Sequence, residues 1–169
     1  MPKYVPNKAS TISVVVAVLI FIGVAIVYPK FISILIGIAL LIAVWSYFEK
    51  PKIDSFYENL YLQREGLSIC DFSKEFDCKQ IDTWVIRAVY EQIQENIPFD
   101  KEIPIKGDDN LKDALGFDDD DLDLDLAGQI SQRTGRTMEG CEYNPYYGKV
   151  NTVRDLVLFF NHQPTENAT

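Results

Sequence analysis

The chain has 169 residues, of which 47% are hydrophobic and 24% charged, and its formal net charge is -9. This composition excludes disordered and collagen-like chains, and the length allows one domain with an additional segment. The charge is divided unevenly: residues 1–52 hold five lysines and one glutamate, a net charge of +4, whereas residues 53–169 have a net charge of -13. Three widely spaced cysteines form neither a disulfide framework nor a metal site, and the single His162 leaves little scope for histidine-based catalysis.

Two uncharged apolar segments occupy residues 11–28 and 31–48, and each is 18 residues long. As helices they would each extend about 27 Å, close to the hydrocarbon thickness of about 30 Å. Pro29 and Lys30 separate them, and a proline interrupts a helix because it has no amide donor. The sequence therefore predicts a two-helix transmembrane hairpin whose partner is the lipid bilayer. A re-entrant or interfacial element, and a signal peptide for the first segment, are the alternatives.

The lysines beside the predicted spans indicate an orientation. Lys3 and Lys8 precede the first span, Lys50 and Lys52 follow the second, and Lys30 lies in the turn. The positive-inside rule then predicts a multi-pass protein of a bacterial-type inner membrane, with both termini and the soluble domain in the cytoplasm. Neither span contains an ionisable residue, which argues against a transporter or a proton relay.

The first helix of the soluble part is predicted at residues 80–96, and Pro98 ends it because the residue before a proline is pushed out of the helical region. Its apolar side chains recur three and four positions apart, which gives the helix one apolar face: Ile81, Trp84, Val85, Ala88, Val89 and Ile93. Residues 97–117 are interpreted as a long loop with irregularly spaced buried anchors: Ile103, Ile105, Leu111, Leu115 and Phe117.

Two further helices are predicted. Residues 118–133 begin with four aspartates, which suit the positive end of a helix dipole, and Gly135 stops the helix. The last helix covers residues 151–161 and begins with Thr152 and Asp155 at capping-box spacing. The predicted fold is therefore all-α and is divided as follows: a hairpin anchor at 1–52, a juxtamembrane connector at 53–79, a helical domain at 80–161, and a polar, frayed tail at 162–169. The loose helical spacing of apolar residues in the connector, including Phe72 and Phe76, predicts partial packing of a helix on the following domain.

The segments LKDALGFDDDDLDLDL at residues 111–126 and NTVRDLVLFF at residues 151–160 resemble motifs of the acyl carrier protein family. The family pattern has an Asp-Leu-Gly, Asp-Ser-Leu stretch that opens the second helix, and a Thr-Val-x-Asp-Leu-Val helix near the C-terminus. Leu115-Gly116 and the run from Thr152 to Val157 match it. The resemblance covers roughly residues 80–160, about half of the chain, and implies a small carrier-like helical bundle.

The resemblance has one departure that bears on chemistry. Carrier proteins attach 4'-phosphopantetheine to the serine of the Asp-Ser-Leu triplet, and Asp121 is at the matching position here. Aspartate has no hydroxyl to modify, and no serine lies between Ser73 and Ser131. We therefore expect no prosthetic group, no other cofactor, no bound metal and no enzymatic activity. The alternatives are a true acyl or peptidyl carrier modified at a non-standard serine such as Ser131, and a structural membrane protein without a carrier-related role.

The acidic run at the start of the predicted second helix is the candidate partner-binding site. It consists of six aspartates: Asp118, Asp119, Asp120, Asp121, Asp123 and Asp125. Partner enzymes recognise carrier proteins through basic patches that face the acidic second helix, so the resemblance implies a basic protein partner. Clustered charge also speeds the encounter with such a partner. A solvated helix end is the alternative reading; interrupting leucines disfavour a calcium loop, and the domain charge disfavours nucleic acid.

Overall fold

The computed structural model describes residues 29–118 and 126–165. Within these residues the chain is all-helical and has no β-strand, so the predicted all-α class is confirmed. The helices are α1 (Pro29–Gln63), α2 (Ile69–Lys74), α3 (Thr83–Asn96), α4 (Ala127–Thr134) and α5 (Val153–His162), with a 3-10 turn at Cys141–Tyr143. The described chain belongs to two compact units, which meet in sequence between Phe56 and Tyr57.

Helix α1 is 35 residues long, which corresponds to about 52 Å. Its part Ser33–Gln63 contains an 18-residue window with a mean hydropathy of 1.6, and none of that window is buried. By length and composition α1 is able to cross a membrane, and it contains the predicted span at residues 31–48. It is the one such helix in the described part of the chain, since the other predicted span, residues 11–28, lies outside the described residues. In residues 29–118 and 126–165 the structure therefore shows one candidate span, which by itself does not make a two-helix hairpin.

Helix α1 does not end where the predicted span ends. Pro51 lies inside it, and its missing amide hydrogen leaves the carbonyl of Tyr47 without the usual helical donor. The helix nevertheless continues for three further turns, and Ser55 Oγ donates to the carbonyl of Lys52 at 2.8 Å. The first part of the predicted connector, residues 53–79, is thus a helical continuation of α1.

The hydrophobic core lies in the unit that starts at Tyr57. Tyr57, Phe72 and Phe76 are all buried in it, although sequence patterns place them in the connector. The ring of Phe72 lies 5.0 Å from that of Phe76 and 5.2 Å from that of Tyr90, centroid to centroid. The folded domain therefore begins inside the predicted connector, because these aromatic side chains complete the core that α3 and α5 start.

Helix α3 closely follows its predicted limits. Asp82 caps it by accepting a hydrogen bond from the amide of Trp84 at 2.9 Å, and the backbone turns extended at Ile97 before Pro98. Of the predicted apolar face, Val85, Ala88, Val89 and Ile93 are buried. Ile81 is half-buried and precedes the helix. Trp84 is 41% exposed, and its Nε1 donates to the carbonyl of Arg133 at 3.2 Å.

The loop between α3 and α4 packs through the predicted anchors, and all five of them are buried: Ile103, Ile105, Leu111, Leu115 and Phe117. The amide of Leu111 donates to the carbonyl of Asn151 at 2.9 Å, and the amide of Phe117 donates to the carbonyl of Leu111 at 2.9 Å. The predicted capping box of α5 is also confirmed, with Thr152 N 3.0 Å from Asp155 Oδ2 and Asp155 N 3.2 Å from Thr152 Oγ1.

The described part of the predicted second helix is α4, which ends at Gly135 in the left-handed conformation with φ 65°. The chain after α5 then returns to this point. The amide of Thr137 donates to the carbonyl of Pro164 at 3.0 Å, and Arg136 Nη1 donates to the carbonyl of Gln163 at 2.7 Å. Gln163 is buried. Residues 163–165 are therefore packed rather than frayed, while residues 166–169 lie outside the described part.

Candidate functional site

Of the six candidate aspartates, Asp118 falls within the described residues, and its side chain is exposed. It follows directly on the buried anchor Phe117 at the end of the loop. The other five lie outside the described residues: Asp119, Asp120, Asp121, Asp123 and Asp125. The part of the site within the described residues is the loop that leads to Asp118, together with the side chains that hold it.

Tyr57 holds this loop near Gly116. The hydroxyl of Tyr57 donates to the carbonyl of Leu115 at 2.9 Å in a buried position. Gly116 has φ 79°, and a Cβ added there would lie 3.0 Å from the same hydroxyl. Glycine is required for both reasons, because the left-handed conformation disfavours side chains and the space is occupied. The Leu-Gly pair of the carrier-like motif is therefore packed against the end of α1.

A buried ion pair joins the residue after α1 to the loop. Arg64 Nη2 lies 2.6 Å from Asp109 Oδ1, and Arg64 Nη1 donates to Asp109 Oδ2 at 2.7 Å and to the carbonyl of Pro104 at 2.9 Å. Both side chains are at most 10% exposed. A two-pronged guanidinium–carboxylate contact fixes orientation as well as distance. Sequence patterns miss this pair because each charged residue alone is typical of a solvated surface.

A second, exposed contact holds the first part of the loop, at Lys101. Lys101 Nζ lies 2.8 Å from Glu58 Oε1 and 4.9 Å from the centre of the Tyr61 ring. The ring of Tyr57 lies 6.0 Å from that of Phe99. Tyr57, Glu58 and Tyr61 lie on the same end of α1 that Arg64 follows. The first part of the loop, at Phe99 and Lys101, and its later part, at Asp109 and Leu115, therefore both contact this end.

A polar network joins α3 to α4, which directly follows the acidic run in sequence. Gln92 Nε2 donates to Gln129 Oε1 at 2.6 Å, and Asn96 Nδ2 donates to the same oxygen at 2.7 Å. The buried Arg133 forms an ion pair with Glu91. Burial raises the pKa of Glu91, but hydrogen bonds from Arg87 and Arg133 lower it by more, so this pKa lies below its ordinary value. The network fixes α4 against α3.

The residues considered for other chemistry have partners inside the fold. Ser131, the alternative modification site, is half-buried, and its hydroxyl donates to the carbonyl of Arg136 at 2.6 Å. His162 Nδ1 lies 2.8 Å from the carbonyl of Leu158. In the described ranges 29–118 and 126–165, no group of three His, Cys, Asp or Glu side chains could hold a metal ion.

A shallow apolar pocket of about 160 Å³ lies between α2 and α3. Its lining consists of Ile69, Cys70, Ser73, Thr83, Ile86 and Arg87. Neither Cys141 nor His162 lines this pocket.

The comparisons with known proteins give no match: no family model, no curated protein and no solved structure matches this chain. The acyl-carrier resemblance therefore depends on the motifs at residues 111–126 and 151–160. Residues 111–118 of the first motif end the loop, residues 119–125 lie outside the described part, and the second motif contains most of α5.

Proposed function

We propose that the protein is a membrane-anchored, non-enzymatic docking module, in which an acyl-carrier-like helical domain presents six aspartates to a basic protein partner. The observation that carries this proposal is the exposed Asp118 at the end of a loop that is fixed at Tyr57 and Arg64. A fixed loop gives a charged segment a defined origin, and a defined arrangement of charge favours one basic partner over others.

The absence of a prosthetic group is part of the proposal. Its support is chemical: the position that matches the carrier serine is Asp121, and the hydroxyl of Ser131 donates inside the fold to Arg136. Co-expression with a phosphopantetheinyl transferase should leave the intact mass of the protein unchanged. A mass increase equal to one phosphopantetheine would restore the carrier alternative.

The anchor is proposed to be a two-helix hairpin, with both termini and the domain in the cytoplasm. The support is the exposed apolar helix α1, the second apolar segment at residues 11–28, and the flanking lysines. Cys70 and Cys78 are exposed, so a membrane-impermeant maleimide should label them in broken cells and not in intact cells. Lys30→Cys in a cysteine-free background is the control, since the predicted turn should label in intact cells.

Docking is tested by removing the charge of the run. The variant with Asn at Asp118, Asp119, Asp120, Asp121, Asp123 and Asp125 should lose most of its affinity for a lysine-rich synthetic peptide at low salt. The affinity of the unchanged protein should fall as salt rises, because the contact is electrostatic. Cross-linking in membrane extracts would then identify the partner as a protein that is captured by the unchanged protein and not by the variant.

A matched control variant has the same change in net charge, but the replaced acidic residues lie outside the run. Six of the exposed acidic residues outside the run serve as this control: Glu65, Asp77, Asp100, Glu102, Glu139 and Glu142. Their replacement by the corresponding amides should weaken peptide binding much less. Equal losses in the two variants would mean that the peptide responds to total charge alone, and the docking proposal would then be abandoned.

A further inference from the structure

The last two turns of α1 and the residue that follows them contact a loop that is distant in sequence. Tyr57 and Arg64 are seven residues apart, about two turns or about 10 Å along a helix axis. Arg64 reaches Pro104 and Asp109, and Tyr57 reaches Leu115. The loop is thus held at two positions along the helix axis, Tyr57 and Arg64. A shift or rotation of this end of α1 must strain at least one of the two contacts.

Asp109 extends the connection to α5. Besides Arg64, its carboxylate accepts a hydrogen bond from the amide of Lys106 at 2.7 Å, and its carbonyl accepts one from the amide of Val153 at 3.0 Å. Asp109 therefore contacts the residue after α1, the turn between the loop anchors Ile105 and Leu111, and the first residue of α5. These contacts are directional and buried, so they favour a few discrete arrangements over continuous deformation.

We infer that the end of α1 and the loop that leads to Asp118 form a coupled conformational device, in which each one's position sets the other's. Coupling between two sites is reciprocal in free energy, so a change in the loop must be felt at the helix end and the reverse must hold. Its use, which is to make docking at Asp118 responsive to the state of the anchor helix, depends on the proposed function.

The test uses the full chain in detergent micelles and reads amide hydrogen exchange. Gly116→Ala places a Cβ 3.0 Å from the Tyr57 hydroxyl, and it should raise exchange at the amides of Arg64 and Leu67, which bond to Tyr61 and Arg64. We expect an increase of about fivefold, the effect of one weakened hydrogen bond. Exchange within α3 should stay unchanged.

Gly148→Ala is the matched control. Gly148 also has a positive φ, 66°, but nothing lies within 4 Å of an added Cβ there. It should strain the backbone without changing exchange at Arg64 and Leu67. The coupling is disproved if Gly116→Ala affects the loop alone, or if Gly148→Ala changes the end of α1 equally.

The reverse direction uses Tyr57→Phe, which keeps the buried ring and removes the hydroxyl that donates to Leu115. It should raise exchange at the amides of Gly116 and Phe117, whereas Tyr147→Phe, at a 54% exposed tyrosine, should not. If Gly116→Ala does not fold, Tyr57→Phe decides alone. Unchanged exchange at Gly116 and Phe117 would then refute the coupling.

A third measurement separates this inference from the docking proposal. The lysine-rich peptide, added to the unchanged protein, should alter exchange at Arg64 and Leu67. Should the peptide fail to bind, docking is refuted while the coupling seen with Gly116→Ala stands. A peptide that binds without any effect at Arg64 and Leu67 refutes the regulatory use.

Discussion

The two compact units use the same apolar side chains in opposite ways. In α1, Leu41 is 72% and Ile42 64% exposed, whereas in the unit from Tyr57 onward Ile93 and Phe160 are 0% exposed. The difference follows from patterning: the membrane-type part of α1 is apolar all round, while α3 and α5 are apolar on one face and can be covered by their neighbours. Hydrophobicity alone therefore does not predict burial within the described residues, and α1 combines an exposed apolar surface with the length and composition of a candidate span.

Replacing one phenylalanine by alanine in each unit should give the largest difference in stability between two variants. Phe160→Ala removes a fully buried ring and should lower the free energy of unfolding by about 3–5 kcal/mol. Phe48→Ala removes a 68% exposed ring and should leave the melting of the domain almost unchanged. Thermal unfolding in detergent, followed by near-ultraviolet circular dichroism, measures both. Similar losses in the two variants would show that α1 also packs on a protein core.

A charge in the middle of the candidate span should impair membrane insertion and leave the stability of the folded unit unchanged. Leu40 is 62% exposed, and Leu40→Arg should disfavour membrane insertion by about 2.5–3.5 kcal/mol. The domain should fold as before, since Leu40 belongs to the other unit. Membrane flotation measures the first effect and thermal unfolding of the detergent-extracted protein the second. Retention in the membrane at the level of a Leu40→Ala control would argue against α1 as a span.

Removing the cap of α5 should produce a smaller loss within the folded unit. Thr152→Ala abolishes the hydrogen bond from the amide of Asp155 and should cost about 1 kcal/mol. Thr152→Ser keeps the hydroxyl and should restore most of it. Urea unfolding curves with unchanged slope would measure the difference. An alanine variant as stable as the serine variant would mean that the first turn of α5 is held by its neighbours alone.

The smallest expected effect is a pH dependence at the junction of α3 and α4. The pKa of Glu91 is below its ordinary value of 4.5, since hydrogen bonds from Arg87 and Arg133 outweigh its burial. Its contribution to stability is therefore complete above pH 4.5 and disappears as the pH falls through the lowered pKa. Glu91→Gln should flatten the acid limb of the stability curve, while Glu139→Gln should not. If the stability of the unchanged protein and of both variants decreases equally as the pH falls, Glu91 does not contribute to this pH dependence.

Sequence periodicity was sufficient for α3 and α5, because each depends on local spacing and a cap. The loop anchors were predicted from their apolar character alone, and all five are buried. It could not find the pair of Arg64 and Asp109, which are 45 residues apart and look like ordinary surface charges. It also could not assign Tyr57 to the core, since the residue that its hydroxyl contacts, Leu115, is 58 positions away. The helical spacing of Phe72 and Phe76, in contrast, agrees with their burial in the folded unit.

The separation of these partners along the chain has a consequence for biosynthesis. A ribosome that has just added Tyr57 must add 58 more residues before the carbonyl of Leu115 exists, and 45 residues separate Arg64 from Asp109. Domains fold as their chain emerges, from the N-terminal side. The whole of α1 is therefore synthesised well before the loop residues that hold its end in the folded unit.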